Sequence, residues 1–466
     1  MPRKPRKFAK GTRRRPPTMS PSKIHAGLRH ALGVAVLYLG LAETSRAGEL
    51  WRLYQQSQVD SQAAKIAEYG EKAAAENVSG ERRLYFPRVV MDASEGWLDQ
   101  NVHTTAGTVF RNGHDGFERN NVLVQLDQPL LDATVSPRVA AARARLRQTL
   151  STNQLAAGTK TRDFVLGFVL AAKFHEMAAA ADAAVGRLES ELTKVSRSYD
   201  AKVASLADVQ TLRVALAGLQ RERSNLNQRW RVELARQGVD ASALDGGWVT
   251  LDASADSAAL LAAGGGEAVA DLEAEKLKAK AEELRQRALA EQRKSVPVLS
   301  FYGVFEHDKA DSSIFGGPRR FENAEAGLMV RWNLFDRGIN YAAAREYSWQ
   351  QRAKEAELAD RQTELQRQQR VEQEVLKDAE NNLRELADLR DQRQKLSDAM
   401  WRAFEGGTDT YLNAISTYLL FQASDREWLA ARYDQLTEVI GVAANQRGWS
   451  DDLVRSVDAL FHAAQK

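Results

Sequence analysis

Cysteine is absent from the 466 residues of this sequence. The chain therefore has no disulfide framework, no thiolate metal site, no cysteine nucleophile and no N-terminal cysteine that could carry a lipid. No run of about 18 or more apolar residues occurs either, which excludes a bundle of transmembrane helices. Length alone allows two or three ordinary domains or one elongated one.

Proline is scarce and unevenly distributed. Of the 10 prolines, eight lie at or before Pro137, and the other two are Pro297 and Pro318. Proline removes a backbone donor and clashes with the preceding helical turn, so the two long proline-free stretches permit long helices. These stretches are rich in Ala, Leu, Glu, Gln, Arg and Lys, which favour helix formation.

Residues arranged for catalysis are also lacking. The 7 histidines form no His-x-x-x-His pair, and the sequence has neither a phosphate-binding glycine loop nor a Gly-x-Ser-x-Gly motif. The carboxylates are interleaved with Lys and Arg, which is typical of a solvated helix face. We therefore predict no enzymatic activity, no catalytic residue, no metal site and no cofactor.

The first 47 residues have the pattern of a secretory signal peptide. Residues 1–30 contain ten Lys or Arg and no acid, residues 31–42 are apolar, and Ser45-Arg46-Ala47 supplies small residues before a cleavage site. Translation starts at either Met1 or Met19. The alternative interpretation is a basic cytosolic tail followed by a buried helix.

Removing this segment reverses the charge balance of the chain. It holds 11 of the 65 Lys and Arg but only one of the 62 Asp and Glu, which leaves the mature chain at a net charge of −7. A basic surface for nucleic acid is therefore not supported, and we predict no nucleic-acid partner.

The rest of the sequence is an internal repeat of two similar units. The amphipathic segment 49–75 aligns with 270–291, and the motif at 122–132 aligns with 327–336. We predict a first repeat at 48–245, with strands at 87–98 and 121–132, and a second repeat at 270–448, with strands at 296–306 and 325–336. A linker rich in Gly, Ser, Asp and Ala lies between them at 246–269, and a C-terminal segment follows at 449–466. Polar loops at 103–121 and 307–323 join the strands of each pair.

The predicted strands alternate between apolar and polar residues. Val122, Val124 and Leu126 face one way, while Gln125 and Asp127 face the other. In the second repeat, Leu328, Val330, Trp332 and Leu334 share one face and Arg331 and Asn333 the opposite one. Strands of about ten residues with this pattern are typical of a membrane β-barrel.

Four strands cannot close a barrel, and an open edge is excluded from lipid. A barrel would therefore be shared between chains, and strand counting permits two, three or four copies. The alternative is a small soluble sheet on a helical bundle. Trp97, Trp332 and Tyr302, near strand ends, favour the barrel because aromatic residues collect at lipid interfaces.

A long helix is predicted after each strand pair, from 134 to 199 and from 338 to 404. Each then reverses into a second helix, at 206–237 and 411–446. Apolar residues recur at spacings of three and four, which predicts a long antiparallel coiled coil; they include Phe164, Phe168, Phe174, Val185, Leu188 and Leu192.

In order, spacing and duplication, these features resemble the TolC family of outer-membrane efflux proteins. The resemblance covers residues 49–448, and its most specific parts are 296–306, 327–345 and 430–442. It implies a mainly α fold with a small β part, in which long antiparallel coiled-coil helices form a periplasmic tunnel. Four strands per chain would contribute to a shared transmembrane β-barrel, and the linker together with the C-terminal segment would wrap the middle of the tunnel.

The resemblance also implies function and partners. The protein would be a homotrimeric channel in the outer membrane that extends into the periplasm, embedded in outer-membrane lipid. It would be the passive exit duct of a tripartite efflux or type I secretion system. A periplasmic adaptor (membrane fusion protein) and an inner-membrane transporter would be its partners.

The residues at the turns between the paired long helices, which form the periplasmic tip in the TolC family, match the family's pattern only in part. Gly406, Gly407 and Thr408 keep the small residues of the family's adaptor contact, whereas Asp200, Ala201 and Lys202 match the first turn poorly. Asp208 aligns with an aspartate that helps to close the aperture, but the positions of its partners hold Phe404 and Asp409. The family's two acidic rings fall at Asn413 and Ser416, so a closed aperture would be held differently. Helix capping by Gly406 and Gly407, and a dipole role for Asp208, are the alternatives.

The competing hypothesis for the whole chain is a periplasmic coiled-coil scaffold or adaptor protein without a membrane barrel.

Overall fold

The computed structural model describes residues 48–59, 61–102, 113–240, 248–252, 257–262, 267–312 and 317–463. The predicted signal peptide lies outside these residues, as do positions 103–112 and 313–316 of the predicted loops.

The described chain has the same succession of elements twice, a helix followed by two strands and two helices. The elements are α1 (Glu49–Val59), α2 (Gln62–Arg83), β1 (Arg88–Val102), β2 (Gly113–Leu131), α3 (Val135–Asp200), α4 (Leu206–Arg236), β3 (Val249–Leu251), a 3-10 helix (Ser257–Leu261), α5 (Val269–Arg293), β4 (Val298–Ala310), β5 (Arg319–Arg331), α6 (Ile339–Glu405), α7 (Tyr411–Arg447), α8 (Asp451–Asp458) and β6 (Phe461–Ala463).

The two long helices begin and end within one residue of the predicted positions. α3 has 66 residues and α6 has 67, and neither is interrupted by proline after its first turn. The helices that return from them start at capping residues: the side chain of Ser205 accepts from the backbone of Asp208, and that of Thr410 accepts from the backbone of Asn413.

α3 is the central helix of the packing. It contacts α2, α4 and α5, while α6 contacts α5 and α7, and α3 also meets α7. The predicted apolar stripe of α3 is confirmed, because Phe164, Phe168, Val185 and Leu188 are buried and Phe174 and Leu192 pack against buried clusters. By length and composition α3 passes as a membrane-crossing helix, but half of its most apolar window is buried inside the chain, as in a core helix.

The amphipathic segment 49–75 is divided between two helices. α1 ends at Val59, and α2 starts afresh at an N-cap, Ser61, whose side chain accepts from the backbone of Ala64. α1 packs instead with α8, where the Asp458 carboxylate accepts a hydrogen bond of 3.1 Å from the Leu50 backbone nitrogen.

The four long strands form one antiparallel sheet in the order β1-β2-β4-β5. On the side of the loops the strands extend beyond the predicted ends, because polar residues assigned to loops continue the ladder, whereas β5 ends at Arg331, before the predicted end at 336. Arg119 of β2, for example, bonds Asp308 of β4 at 2.9 Å. Such cross-strand ion pairs stabilise sheet pairing although the residues have low strand propensity.

The predicted loop-like linker contains structure. β3 pairs with β6 from the C-terminal segment, and Trp248 beside it is 2% exposed. Tyr433 of α7 lies beneath this small sheet, accepts from the Leu251 backbone nitrogen at 3.3 Å and donates to Glu176 of α3 at 2.5 Å. Burial raises the pKa of Tyr433, and the nearby Glu176 carboxylate adds to this effect. The linker packs against α3 and α7 because its apolar residues Trp248, Val249 and Leu251 are buried in the same cluster as residues of these helices.

Candidate functional site

The sheet has one apolar and one polar face. Across the four strands, Met91, Val124, Phe305 and Ala324 lie in one row. The adjacent row on the other face consists of Val90, Gln125, Val304 and Glu325. The predicted alternation of Val122, Val124 and Leu126 against Gln125 and Asp127 is therefore confirmed, since side chains two residues apart in a strand share a face.

The apolar face is largely uncovered by the rest of the chain. Val89, Met91, Leu328 and Val330 are each 63–67% exposed. Contiguous exposed apolar residues of this kind mark contact with a lipid or protein partner.

The polar face carries paired charges. The Asp308 side chain is only 7% exposed and lies 2.9 Å from Arg119 and 3.9 Å from Arg319. Asn121 donates to Glu306 at 3.1 Å, and Tyr302 donates to Glu325. Tyr302 thus lies on the polar face, and the expectation that it contributes to an aromatic belt was wrong. Trp97, which is 69% exposed, does lie on the apolar face.

Large apolar side chains also collect where the strands meet the helices. Trp332 and Phe335 follow β5 and are 57% and 82% exposed, and Phe86, just before β1, is 66% exposed. Trp332 lies beyond the end of β5 at Arg331 and does not belong to the ladder, and its indole donates to the Ser295 carbonyl at 2.9 Å.

The turns at the ends of the two long helices have the same backbone hydrogen bonds. In the first, the amides of Ala201, Lys202 and Val203 donate to Arg197, Tyr199 and Ser198. In the second, the amides of Gly406, Gly407 and Thr408 donate to Arg402, Phe404 and Ala403. Both are Schellman-type helix ends.

Val203 in the first turn is therefore the equivalent of Thr408 in the second. The candidate tip of the first turn therefore consists of Ala201, Lys202 and Val203, and Asp200 belongs to the last turn of α3. Val203 is 83% exposed and was missed by sequence reasoning. The signal was present, because shifting the comparison of the two turns by one residue superposes the Ser205 and Thr410 caps.

The candidate aperture residues are engaged locally. The Asp208 carboxylate accepts from Ser205 Oγ at 2.6 Å and from the Ser205 backbone nitrogen at 3.0 Å, which forms a capping box. Asp409 accepts from Asn413 Nδ2 at 2.7 Å, and Ser416 donates to the Asn413 carbonyl at 3.0 Å. Within one chain, each carboxylate thus has partners in its own turn.

Phe404 instead belongs to an aromatic cluster at the end of α6 and the start of α7. Its ring centroid lies 5.1 Å from that of Tyr411 and 6.1 Å from that of Trp401. Burial raises the pKa of the Tyr411 hydroxyl, and the carboxylates of Glu191 and Asp208 raise it further. The cluster is continuous with buried residues of α3 and α4, so the two hairpins pack together beside their turns.

No group of three or more His, Asp and Glu side chains that could hold a metal ion occurs among the residues that the structure describes.

No protein-family model matches the sequence, and no curated protein matches it. Solved structures do match. The outer-membrane channel OprN is 14% identical with a TM-score of 0.71, covering 86% of this chain and 90% of its own. The outer membrane protein VceC of Vibrio cholerae is 12% identical with a TM-score of 0.67, covering 86% and 96%. The Campylobacter jejuni CmeC outer membrane channel is 10% identical with a TM-score of 0.66, covering 90% and 88%.

The chain therefore has the fold of these outer-membrane channels along most of its length. The predicted fold class, mainly α with long helical hairpins and four long strands, is confirmed.

Proposed function

We propose that this protein is an outer-membrane channel that serves as the passive exit duct of a tripartite efflux or type I secretion system. The observation that carries the proposal is a four-stranded sheet with one apolar face, one charged face and two free edges, set on two long helical hairpins. The fold shared with OprN, VceC and CmeC supports it. We assign the chain no catalytic role.

The apolar face has the dimension of a membrane band. In β4 it runs from Leu299 to Phe305 and in β5 from Ala324 to Val330, about 20 Å along each strand. Outer-membrane barrels carry an apolar band about 25 Å tall, flanked by aromatic residues. We assign Trp332 with Phe335 to the boundary beside the helices, so outer-membrane lipid is the partner of this face. Trp97 lies six residues beyond Met91 along β1, outside this band.

The free edges point to a ring of copies. β1 and β5 are the edges of the sheet, and exposed strand edges do not persist in lipid. The edge of one copy would pair with the opposite edge of the next, and three copies would give a twelve-stranded barrel. We propose this homotrimer in line with the resemblance to the TolC family.

The helices offer matching open surfaces. Only Ala344, Ser397 and Trp401 of α6 are buried within a single chain. Its exposed side includes Trp349, which is 64% exposed, while α2 exposes Ile66 at 71% and Tyr69 at 64%. We assign the contact between neighbouring copies to these faces, because burying them contributes about 25 cal/mol per Å².

The two turns are the proposed contact with a periplasmic adaptor, which would connect the duct to an inner-membrane transporter. Their residues are Ala201, Lys202 and Val203 in the first turn and Gly406, Gly407 and Thr408 in the second. All six residues are exposed and, apart from Lys202, they are small or apolar, which leaves the backbone of these turns accessible to a partner. For aperture closure, we retain Asp208, Phe404, Asp409, Asn413 and Ser416 as candidates.

The test is a photo-crosslinking amino acid placed at Thr408 in living cells, with mass spectrometry of the captured protein. Thr408 is preferable to Gly407, whose φ of 71° would strain any side chain. The same amino acid at Gln362, an exposed position within α6, is the matched control.

Capture of a periplasmic adaptor at Thr408 and not at Gln362 is the expected result. An adaptor that works with a proton-driven pump would make the protein an exporter of small molecules. One that works with an ATP-driven transporter would indicate protein or peptide secretion. Absence of any partner, from protein correctly located in the outer membrane, would contradict adaptor docking at the turns.

A further inference from the structure

A cavity of about 540 Å³ lies among the helix ends that adjoin the four-stranded sheet. Its walls are formed by the last turns of α2 and α5, the first turns of α3 and one residue of α6. Thr134 lines it three residues after β2 ends, and Lys294 lines it four residues before β4 begins. This volume is within the range of small-molecule sites, roughly 300–1,000 Å³. The cavity is therefore large enough for a ligand and lies at the level where the strands leave the helices.

The cavity belongs to a groove on one face of the helices. On α5 its lining residues recur at spacings of three and four from Glu283 to Lys294, and the same stripe continues back to Glu273 along the neighbouring cavities. One of these neighbouring cavities is bounded by Tyr54 of α1 and by Trp449 of the C-terminal segment. The segment that is expected to wrap the tunnel thus packs on this face. The groove therefore lies on the outer side of the proposed duct.

The charges around the cavity do not balance. Its lining has more cations than carboxylates, namely Arg138, Arg145, Arg287 and Lys294 against Glu81, Glu283 and Glu291. Each carboxylate is already paired with one of these cations, at 2.8 Å for Glu81, 2.5 Å for Glu283 and 2.7 Å for Glu291. Arg145 is exposed and makes no ion pair or hydrogen bond with another residue that the structure describes. The lining therefore has one positive charge without a partner.

The other lining residues leave room for a phosphate group. Ala141, Ala142 and Ala290 are 7%, 6% and 7% exposed, and their short side chains do not fill the space beside Arg145. Asn77 and Tyr347 add uncharged donors to the wall. Arginine binds a phosphate through two parallel hydrogen bonds. A group with one negative charge and neutral hydroxyls therefore matches this lining, whereas a group with an amine would add a second unpaired positive charge.

The surroundings of the cavity favour a lipid over a free anion. Phe86 and Phe335, at the same junction of strands and helices, are 66% and 82% exposed and offer apolar contact for acyl chains. Basic pockets between helices at a membrane surface bind anionic head groups. We propose that the cavity binds the head group of an anionic phospholipid of the phosphatidylglycerol class from the periplasmic leaflet of the outer membrane, with Arg145 as the main ligand of its phosphate. The membrane origin of the lipid rests on the proposed function, whereas the binding site is a property of the chain.

Native mass spectrometry tests the site, using the purified protein delipidated in detergent and then incubated with dioleoylphosphatidylglycerol. Dioleoylphosphatidylethanolamine, which has the same acyl chains and an amine in its head group, is the matched probe. We expect one dioleoylphosphatidylglycerol to be retained per chain, in preference to the matched probe. Arg145→Gln is expected to weaken its binding about tenfold or more, as the loss of a charged hydrogen-bond donor to a phosphate does. Arg143→Gln removes an exposed arginine of the same helix that does not line the cavity, and it should leave binding unchanged.

Three results would overturn the proposal. They are equal retention of the two lipids by the wild type, equal binding of dioleoylphosphatidylglycerol by the wild type and by Arg145→Gln with wild-type helix content, and displacement of the lipid by millimolar inorganic phosphate. The last result would show that the cavity takes a free anion. Because these measurements use protein in detergent, they decide the site independently of where the protein is located. Recovery of the protein in the soluble periplasm would instead contradict the proposed function and the membrane origin of the lipid.

Discussion

Lys202 and Gly407 occupy the same position in the two hairpin turns, and both have positive φ, 62° for the lysine and 71° for the glycine. The left-handed conformation costs a residue with a Cβ about 1 kcal/mol or more relative to glycine. The first turn therefore contains local strain that the second turn avoids.

Lys202→Gly is expected to stabilise the first turn by up to about 1 kcal/mol, and Gly407→Ala to destabilise the second by about 1 kcal/mol. Thermal unfolding of the purified protein, followed by circular dichroism, measures both changes. Gly406→Ala is the control, because Gly406 has an ordinary helical φ of −78°. Equal effects of the substitutions at Gly406 and Gly407 would show that backbone conformation is not the cause.

A charge on the apolar face of the sheet should prevent stable insertion. Val124 lies in the middle of that face, and Gln125 beside it points to the polar face. Arginine at the middle of a bilayer costs about 2–4 kcal/mol on a lipid-facing strand position. Val124→Arg is therefore expected to lower the amount of protein in the outer membrane, whereas Gln125→Arg should be tolerated. Quantitative immunoblotting of membrane fractions compares the two, and equal tolerance would contradict the assignment of faces.

The Asp458 cap of α1 should make stability depend on pH. Burial raises the pKa of the Asp458 carboxyl in the folded protein, although backbone amides of the α1 end partly oppose this effect. A raised pKa means that the contribution of this group is fully present below its unfolded pKa of about 3.9 and is lost as the pH rises through the folded pKa. Asp458→Asn keeps an acceptor and removes the titration, so the melting temperature of wild type relative to this variant should fall between acidic and neutral pH.

Asp458→Ala separates capping from charge. It removes the side-chain acceptor and leaves the Leu50 amide without its partner, which costs about 1 kcal/mol in addition to the loss of the titration. A pH-independent difference between wild type and Asp458→Asn would disprove the titration.

His175 should act in the opposite sense. Its ring lies 5.2 Å from that of Trp230 and 6.5 Å from that of Trp248, and burial lowers its pKa. Its contribution to stability is therefore present above the unfolded pKa of about 6.5 and is lost as the pH falls through the folded pKa. The loss is about 1.4 kcal/mol for each unit by which the pKa is lowered.

His175→Phe keeps an aromatic ring among the tryptophans and cannot be protonated. We expect the wild type to lose stability between pH 7 and about pH 5, and the variant to lose less over the same interval. Differential scanning fluorimetry at a series of pH values makes this comparison, and parallel curves would exclude His175 as the cause.

The long helices were predictable because their signals are local. The stretches that became α3 and α6 lack internal proline breaks, carry an apolar stripe and are followed by polar caps at Ser205 and Thr410. The strand ends were harder, since Arg119 and Asp308 resemble loop residues until the register brings them together. The break between α1 and α2 was missed because Ser61 interrupts the helix without a glycine or proline.

The details of the tip could be predicted only in part. The glycine at Gly407 indicates a left-handed backbone conformation, whereas nothing in the sequence indicates that Lys202 adopts the same conformation. The guanidinium of Arg187 on α3 lies over the rings of Trp401 on α6 and Tyr418 on α7, and this contact depends on how two hairpins distant in sequence pack. No periodicity within either hairpin specifies that contact.

Density-gradient separation of the membranes of the producing bacterium, with detection of the protein in each fraction, tests the central claim most directly. We expect that the mature chain is recovered with the outer membrane and that Val124→Arg depletes it there. Recovery of the wild-type protein in the soluble periplasm would contradict the outer-membrane duct and would favour a periplasmic scaffold.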